Sequence, residues 1–172
     1  MSWSAAQKEA LARASTSSFL KWGLELRHSL FPSHVRMVDH DKDIDLTLES
    51  DAPVQSGTTQ TFTATAFRFK EPDFTNQPDP TVEIEIDGVS GTLEPFLKPA
   101  IASGEPVLLT LRGFMYDVNN ESVDQMLRVY HFQMRKRVAT MTTISATFGY
   151  TNPATQPFPK VKYSAATNPG LA

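Results

Sequence analysis

Hydrophobic and polar residues alternate with a period of two from Val82 to Asp87, where Val82, Ile84 and Ile86 interleave with Glu83, Glu85 and Asp87. The alternation predicts a half-buried strand with one apolar face and one acidic face. Asp87-Gly88 breaks it, and Leu93, Phe96, Leu97, Ala100 and Ile101 then recur at the spacing of one helical face. With Thr92 as N-cap and Gly104 as terminator, this predicts a short helix over about 92–103. Pro95 is tolerated in a first turn, whereas Pro99 removes a backbone bond and predicts a kink or a limit of about two turns. Val107, Leu109 and Leu111 restore the period of two, with Thr110 and Arg112 on the opposite face.

The same patterns organise the rest of the chain. Ser4 and Gln7 form a capping-box spacing ahead of AAQKEALARA, which predicts an N-terminal helix. Its apolar face is mostly alanine, so it needs a surface to dock on, its own sheet or a neighbouring subunit. Leu20, Trp22, Leu24 and Leu26 share a face against Lys21, Glu25 and Arg27, giving a strand that ends near His28. Val35 to Val38 and Ile44 to Leu48 read as a hairpin, with Asp43, Asp45, Thr47 and Glu49 outward. Thr58 to Phe69 alternates again, with a register change at Phe67 that suggests a bulge. Lys70 to Pro80 reads as an extended proline-rich loop, and Asn119-Asn120 marks a turn before the strand Met126 to Met134. Ile144, Ala146 and Phe148 form the last strand. The expected fold is mainly β (α+β), an antiparallel β-sandwich or barrel-like hub domain over 20–150. A helical arm at 1–19 and an extended tail at 151–172 flank it.

Length and composition fit one ordinary core: 172 residues, 40% of them hydrophobic, with twelve prolines and eight glycines between short alternating runs. A net charge of −3 argues against nucleic-acid binding through a basic face. The absence of cysteine removes thiolate metal sites, iron–sulfur ligation, disulfides and cysteine nucleophiles. No apolar run approaches the ~20 residues of a membrane-spanning helix, and the charged N-terminus does not resemble a signal peptide.

The search for chemistry is mostly negative. Asp39, Asp41, Asp43 and Asp45 imitate the start of a calcium loop, but the sixth position is Ile44 and the twelfth Ser50, where glycine and glutamate are required. A cation site of another kind on Asp39, Asp41 and Asp43, with His40, competes with a solvated turn as the reading of this stretch. The four histidines form no zinc-binding spacing, and the chain has no nucleophile elbow or glycine-rich phosphate cradle. Glu83 and Glu85 project from one strand face roughly 7 Å apart, within range for acid–base work, although an acidic outer face is the commoner meaning. Arg135, Lys136 and Arg137 form a compact basic run that reads as a charged strand end blunting an exposed edge, with a phosphate contact as the alternative. No catalytic residue, cofactor or resident metal is expected.

The segments WGLELRH, LESDAPVQSGTTQTFTATAFRF, VEIEIDGVSGTLEPFLKPA and GEPVLLTLRGF, with the closing NPATQPFPKVKY, resemble an uncharacterised family of phage and prophage tail proteins usually encoded beside the tape-measure gene. The most specific pieces are the DGVSGTLEPFL–GEPVLLTLRGF block and Phe158-Pro159. More distantly, the order of parts is similar to the N-terminal hub domain of the lambda-type tail tip protein L. That protein continues into a cysteine-rich iron–sulfur region; the 172 residues here contain no cysteine, so the cluster is not carried over with the resemblance.

The resemblance implies a non-enzymatic virion subunit, assembled in the host cytoplasm into a homo-oligomeric ring at the tail tip or baseplate. A hub position favours a trimer and a distal-tail position a hexamer. Its partners would be the tail tube or distal tail protein, the tape-measure protein and the central fibre, with DNA passing through without specific binding. Trp3, Leu11, Phe74, Phe158 and Tyr163 are the expected partner contacts, and Glu83 and Glu85 candidates for lining the lumen. Two alternatives stand beside this. One is a receptor- or carbohydrate-binding β-sandwich using Trp3, Phe74 and Phe158 as its platform, and the other a tail-associated cell-wall hydrolase.

Overall fold

The structure, a computed structural model, describes residues 17–71, 80–87, 90–139 and 143–150. The predicted N-terminal helix with Trp3 and Leu11, the stretch holding Phe74 and the segment holding Phe158 and Tyr163 lie outside the described residues. Nine strands and one helix are described: β1 (Ser18–Arg27), β2 (Val35–Val38), β3 (Ile44–Thr47), β4 (Thr59–Ala64), β5 (Phe67–Phe69), β6 (Thr81–Asp87), α1 (Ser90–Ala102), β7 (Leu108–Asp117), β8 (Ser122–Ala139) and β9 (Thr143–Gly149). The expected mainly β fold with one short helix near 92–103 is what forms.

The strands join in the order β3-β4-β2-β1-β7-β8-β9-β6-β5. The β2–β4 pair is parallel, and the other described pairs are antiparallel. β4 and β5 sit near opposite ends of this order, yet only Thr65 and Ala66 separate them in sequence. The Thr65 amide donates to the Val38 carbonyl at 2.9 Å, and the Asp87 amide donates to the Ala66 carbonyl at 3.2 Å. The run from Thr59 to Phe69 thereby bridges β2 to β6, and the sheet rolls into a barrel.

Alternation decides what fills that barrel. Leu24 and Leu26 of β1, Leu109 and Leu111 of β7, Val82, Ile84 and Ile86 of β6, and Ile144, Ala146 and Phe148 of β9 point inward together. Leu93, Leu97 and Ala100 of α1 close the interior beside the end of β1, where Phe96 meets Phe31 with ring centroids 6.2 Å apart. Each fully buried Leu, Ile, Val or Phe among them contributes roughly 1.5–3 kcal/mol. Nearer the start of β1, Trp22 lies edge-on to Phe69 at 4.9 Å and stacks on Tyr130 at 6.3 Å. The void left among Leu24, Ile84, Leu97 and Phe148 is about 10 Å³, room for about one water.

A second apolar layer lies outside the barrel. The β3–β4 hairpin folds over β1, β2 and β7, and Ile44, Leu46, Leu48 and Phe62 meet Val38, Phe114 and Tyr116 there. Gly23 of β1 makes room for the hairpin: a Cβ at this position would stand 3.2 Å from the Phe62 ring and 3.3 Å from Leu46.

Four expectations change. β2 and β3 do not form a hairpin with each other; β4 runs between them, because Met37 of β2 is needed inside the barrel while β3 belongs to the outer layer. The helix forms close to the expected 92–103, and its thirteen residues run through both prolines; of the two outcomes named for Pro99, only the two-turn limit is overturned, by burial of Leu93, Leu97 and Ala100. Gly104 ends its run at φ +78°, a left-handed conformation suited to glycine. Finally, Arg135–Arg137 do not blunt an edge. β8 pairs with β9 there, Lys136 opposite Thr147 and Arg137 opposite Ala146, and Arg135 donates to the Tyr150 carbonyl at 2.8 Å. The fourth correction, to the wet face assigned to Glu49, belongs to the site itself.

Candidate functional site

Two polar features stand out among the described residues, a buried charge network and an acidic cleft. The network forms because both faces of β1 and β7 are covered. Leu24 and Glu25 are neighbours on opposite faces of β1 and both have 0% exposure, as do Leu111 and Arg112 on β7. A charge buried this completely must be neutralised by partners.

Arg112 is the hub of that compensation. Its Nη1 donates to Glu25 Oε2 at 2.8 Å, and its Nε and Nη2 donate to the two carboxylate oxygens of Glu49 at 2.8 and 2.9 Å. The fork engages Glu49 bidentately, the geometry that suits guanidinium to carboxylate. The second oxygen of Glu25 lies 2.9 Å from Arg36 Nη2, and Arg36 also reaches Gln60 and Gln55. Two guanidinium groups thus balance two carboxylates. Glu49, expected to face water, instead turns in at the end of the hairpin, and its carbonyl accepts the amides of Ala52 and Gly57.

The electrostatics follow from this closure. Burial alone would raise the Glu49 carboxyl, but the hydrogen bonds and charge of Arg112 hold it below the ordinary carboxylate range. Burial alone would lower Arg112, and the hydrogen bonds to Glu49 and Glu25 outweigh it to raise its affinity for the proton. At the margin of the network Arg27 donates to the Thr110 hydroxyl at 3.2 Å, and His131 Nδ1 lies 3.1 Å from the same oxygen. Burial lowers Arg27, and burial together with the charge of Arg27 lowers His131.

The cleft lies between the outer edge of β3 and the start of β8 and encloses about 580 Å³. Asp43, Asp45, Glu121 and Asp124 line it with a single cation, Lys42, over a floor that includes Tyr116 and Met126. Lys42 is bound to Glu121 at 2.7 Å. Asp43 accepts the Ala64 amide at 2.8 Å and Asp45 the Thr61 hydroxyl at 2.7 Å, so both brace the hairpin.

The residues singled out from sequence fall as follows. Asp39 continues the β1 pairing through its amide, which donates to the Trp22 carbonyl at 3.1 Å. Asp41 lies 2.8 Å from His40, whose ring packs on Tyr116 at 4.7 Å. Asp39, Asp41 and Asp43 do not converge: among the described residues no group of three or more His, Asp or Glu side chains is arranged to hold a metal. Glu83 and Glu85 are exposed on the outer face of β6, and Arg68, Lys70 and Lys136 line the same shallow surface. That face is mixed in sign, not purely acidic. The network was missed in the sequence because Glu25, Thr110 and Arg112 occupy the polar phase of an alternating pattern. The only available signal was Gly23, two residues before Glu25 on the same face, which marks a close approach from outside.

Residues 6–163 match the family described as a domain of unknown function, DUF1833. The chain belongs to this family. The matched span contains every described strand, and with them the barrel, the overlying hairpin and the charge network. No curated protein matches the chain. Among the described residues no helix is long and apolar enough to cross a membrane.

Proposed function

We propose that this chain is a structural subunit of the tail tip or baseplate of a long-tailed bacteriophage. It would act as a hub or distal-tail ring component that joins the tail tube to the central fibre or receptor-binding apparatus around the DNA channel. The resemblance carried by the DGVSGTLEPFL–GEPVLLTLRGF block motivates the assignment. The physical observation that supports it best is the placing of exposed apolar side chains at both ends of β1. Phe19, Leu20 and Val118 are 49%, 38% and 50% exposed at one end, where the Val118 amide bonds to the Ser17 carbonyl. Leu30 and Ile101 are 55% and 43% exposed at the other. A ten-residue strand separates these groups by roughly 30 Å. A subunit held between neighbours above and below needs apolar contacts at both ends and rigidity between them.

The closed network and the filled barrel support the same reading. The buried charges are spent on one another, and the barrel interior has no room for a substrate. The mixed face around Glu83 and Glu85 gives no like-charge ground for choosing it as the lumen, so the channel-lining surface is left open to other faces.

Electron microscopy of virions at side-chain resolution tests the proposal. The expected outcome is density for this barrel in a ring, three-fold for a hub or six-fold for a distal-tail position. Virions that lack the chain would refute it. Turnover of peptidoglycan or saturable binding to host cells by the purified protein would favour the hydrolase or receptor-binding alternative instead.

A further inference from the structure

The outer edge of β3 carries no pairing partner among the described residues, because β3 stands at the end of the strand order and pairs only with β4. An unpaired edge is a template for one more strand. This edge opens onto the acidic cleft, and Asp43, Asp45 and Asp124 have no cationic partner among the described residues. The cleft therefore suits an extended, basic segment that supplies backbone donors along one side.

Residues 151–172 have that chemistry. They contain Lys160 and Lys162 and no aspartate or glutamate. Pro153, Pro157, Pro159 and Pro169 all fall on odd positions, whereas Phe158, Lys160 and Lys162 fall on even ones. In an extended chain successive amides point to opposite sides, so the prolines would remove donors from one side only and leave the even-numbered amides to pair. That is the pattern of an edge strand. The even positions also put both lysines on one face with Phe158, to meet the carboxylates and the Tyr116 and Met126 floor.

We infer that the β3–β8 cleft is a docking groove for the 151–172 segment of a neighbouring copy, added as a strand on the free edge of β3. Twenty-two extended residues reach roughly 70 Å, about twice the length of β1, so the segment can cross its own subunit and enter the next. The choice of a neighbour rests on the assembly reading proposed above. Strand donation of this kind is heterologous: each copy gives a segment and receives one, and a closing rotation makes a ring.

The native chain contains no cysteine, so single introduced thiols report contacts without background. Asp124→Cys and Lys160→Cys proteins, mixed in equal amounts and oxidised, are expected to give a disulfide-linked pair containing one chain of each kind, identified by peptide mass. Its yield should fall several-fold in high salt and in a Lys160→Cys chain that also carries Lys162→Glu. Absence of the mixed pair overturns the inference. So does a link that forms only when both substitutions share one chain and stays within it. Virions that contain the chain as a ring but give no such link between copies would overturn strand donation and leave the assembly reading standing. Virions that lack the chain would remove both.

Discussion

The barrel interior and the layer beneath the β3–β4 hairpin are both shut off from water, but they are closed by different physics. Inside, Leu24, Leu109, Ile84 and Phe148 belong to one apolar cluster that the helix joins through Leu93, Leu97 and Ala100. Beneath the hairpin, Phe62 and Leu46 share the space with Arg112, Glu25 and Glu49. The interior tolerates approximate replacements because dispersion and burial are non-directional. The outer layer depends on particular atoms, since a buried charge without its partner costs far more than a lost methyl group. Where the hairpin sits on the barrel is consequently set by the bidentate Arg112–Glu49 pair as much as by apolar contact.

The sharpest test of that contrast is Arg112→Ala. It leaves Glu25 with Arg36 and strips Glu49 of its bidentate partner, and a destabilisation of about 3–5 kcal/mol is expected by urea unfolding. Arg112→Met combined with Glu49→Leu removes both members of the pair and keeps Glu25 on Arg36, so most of that loss should be recovered. If the double replacement is as damaging as the single one, unpaired charge is not what holds the layer. Leu109→Ala in the barrel should cost about 2–5 kcal/mol through the cavity it opens. Unlike the charge variant, its cost should be unchanged by salt and by moderate acidification.

Gly113→Ala probes the junction of the two regions. A Cβ there would stand 3.0 Å from the Trp22 ring, forcing the indole off Phe69 and Tyr130. A loss of about 1–3 kcal/mol is expected from overpacking, with a shift in tryptophan emission. An unchanged emission spectrum would mean that Trp22 is not locked as described.

How much of this was legible in the sequence follows the same division. Val82, Ile84 and Ile86, or Ile144, Ala146 and Phe148, announce their inward face because their other face meets solvent. β1 and β7 announce theirs through Leu24, Leu26, Leu109 and Leu111, but not that the opposite face is covered as well. Glu25 and Arg112 read as wet from their neighbours and are dry only because a hairpin from elsewhere in the chain lies across them. The pairing of β2 with β4 was equally hidden, since local alternation says which face is buried but not which strand arrives beside it. The thirteen-residue helix outran its prolines for a related reason: propensity is local, and the burial of Leu97 and Ala100 overrides it.

The smallest effect concerns pH and comes from the margin of the outer layer. His131 faces Thr110 and Arg27, with Glu49, Asp51 and Arg112 around it. Burial and the charge of Arg27 lower its pKa in the fold, so between that value and the ordinary value of about 6.5 the unfolded chain holds more protons than the folded one. Stability should be full above the ordinary histidine range and fall as the pH drops through it. A second fall is expected lower down, from the ordinary glutamate range of about 4.3 downward, as Glu49 is protonated and its bond to Arg112 weakens. His131→Gln should flatten the first fall and leave the second, as read from melting temperatures across a pH series. If the first fall persists in that variant, the proton is going elsewhere, and the boundary of the charged layer lies beyond His131. Barrel variants such as Leu109→Ala should shift the whole profile down without changing its shape, which separates the two regions by a proton count that no single melting temperature provides.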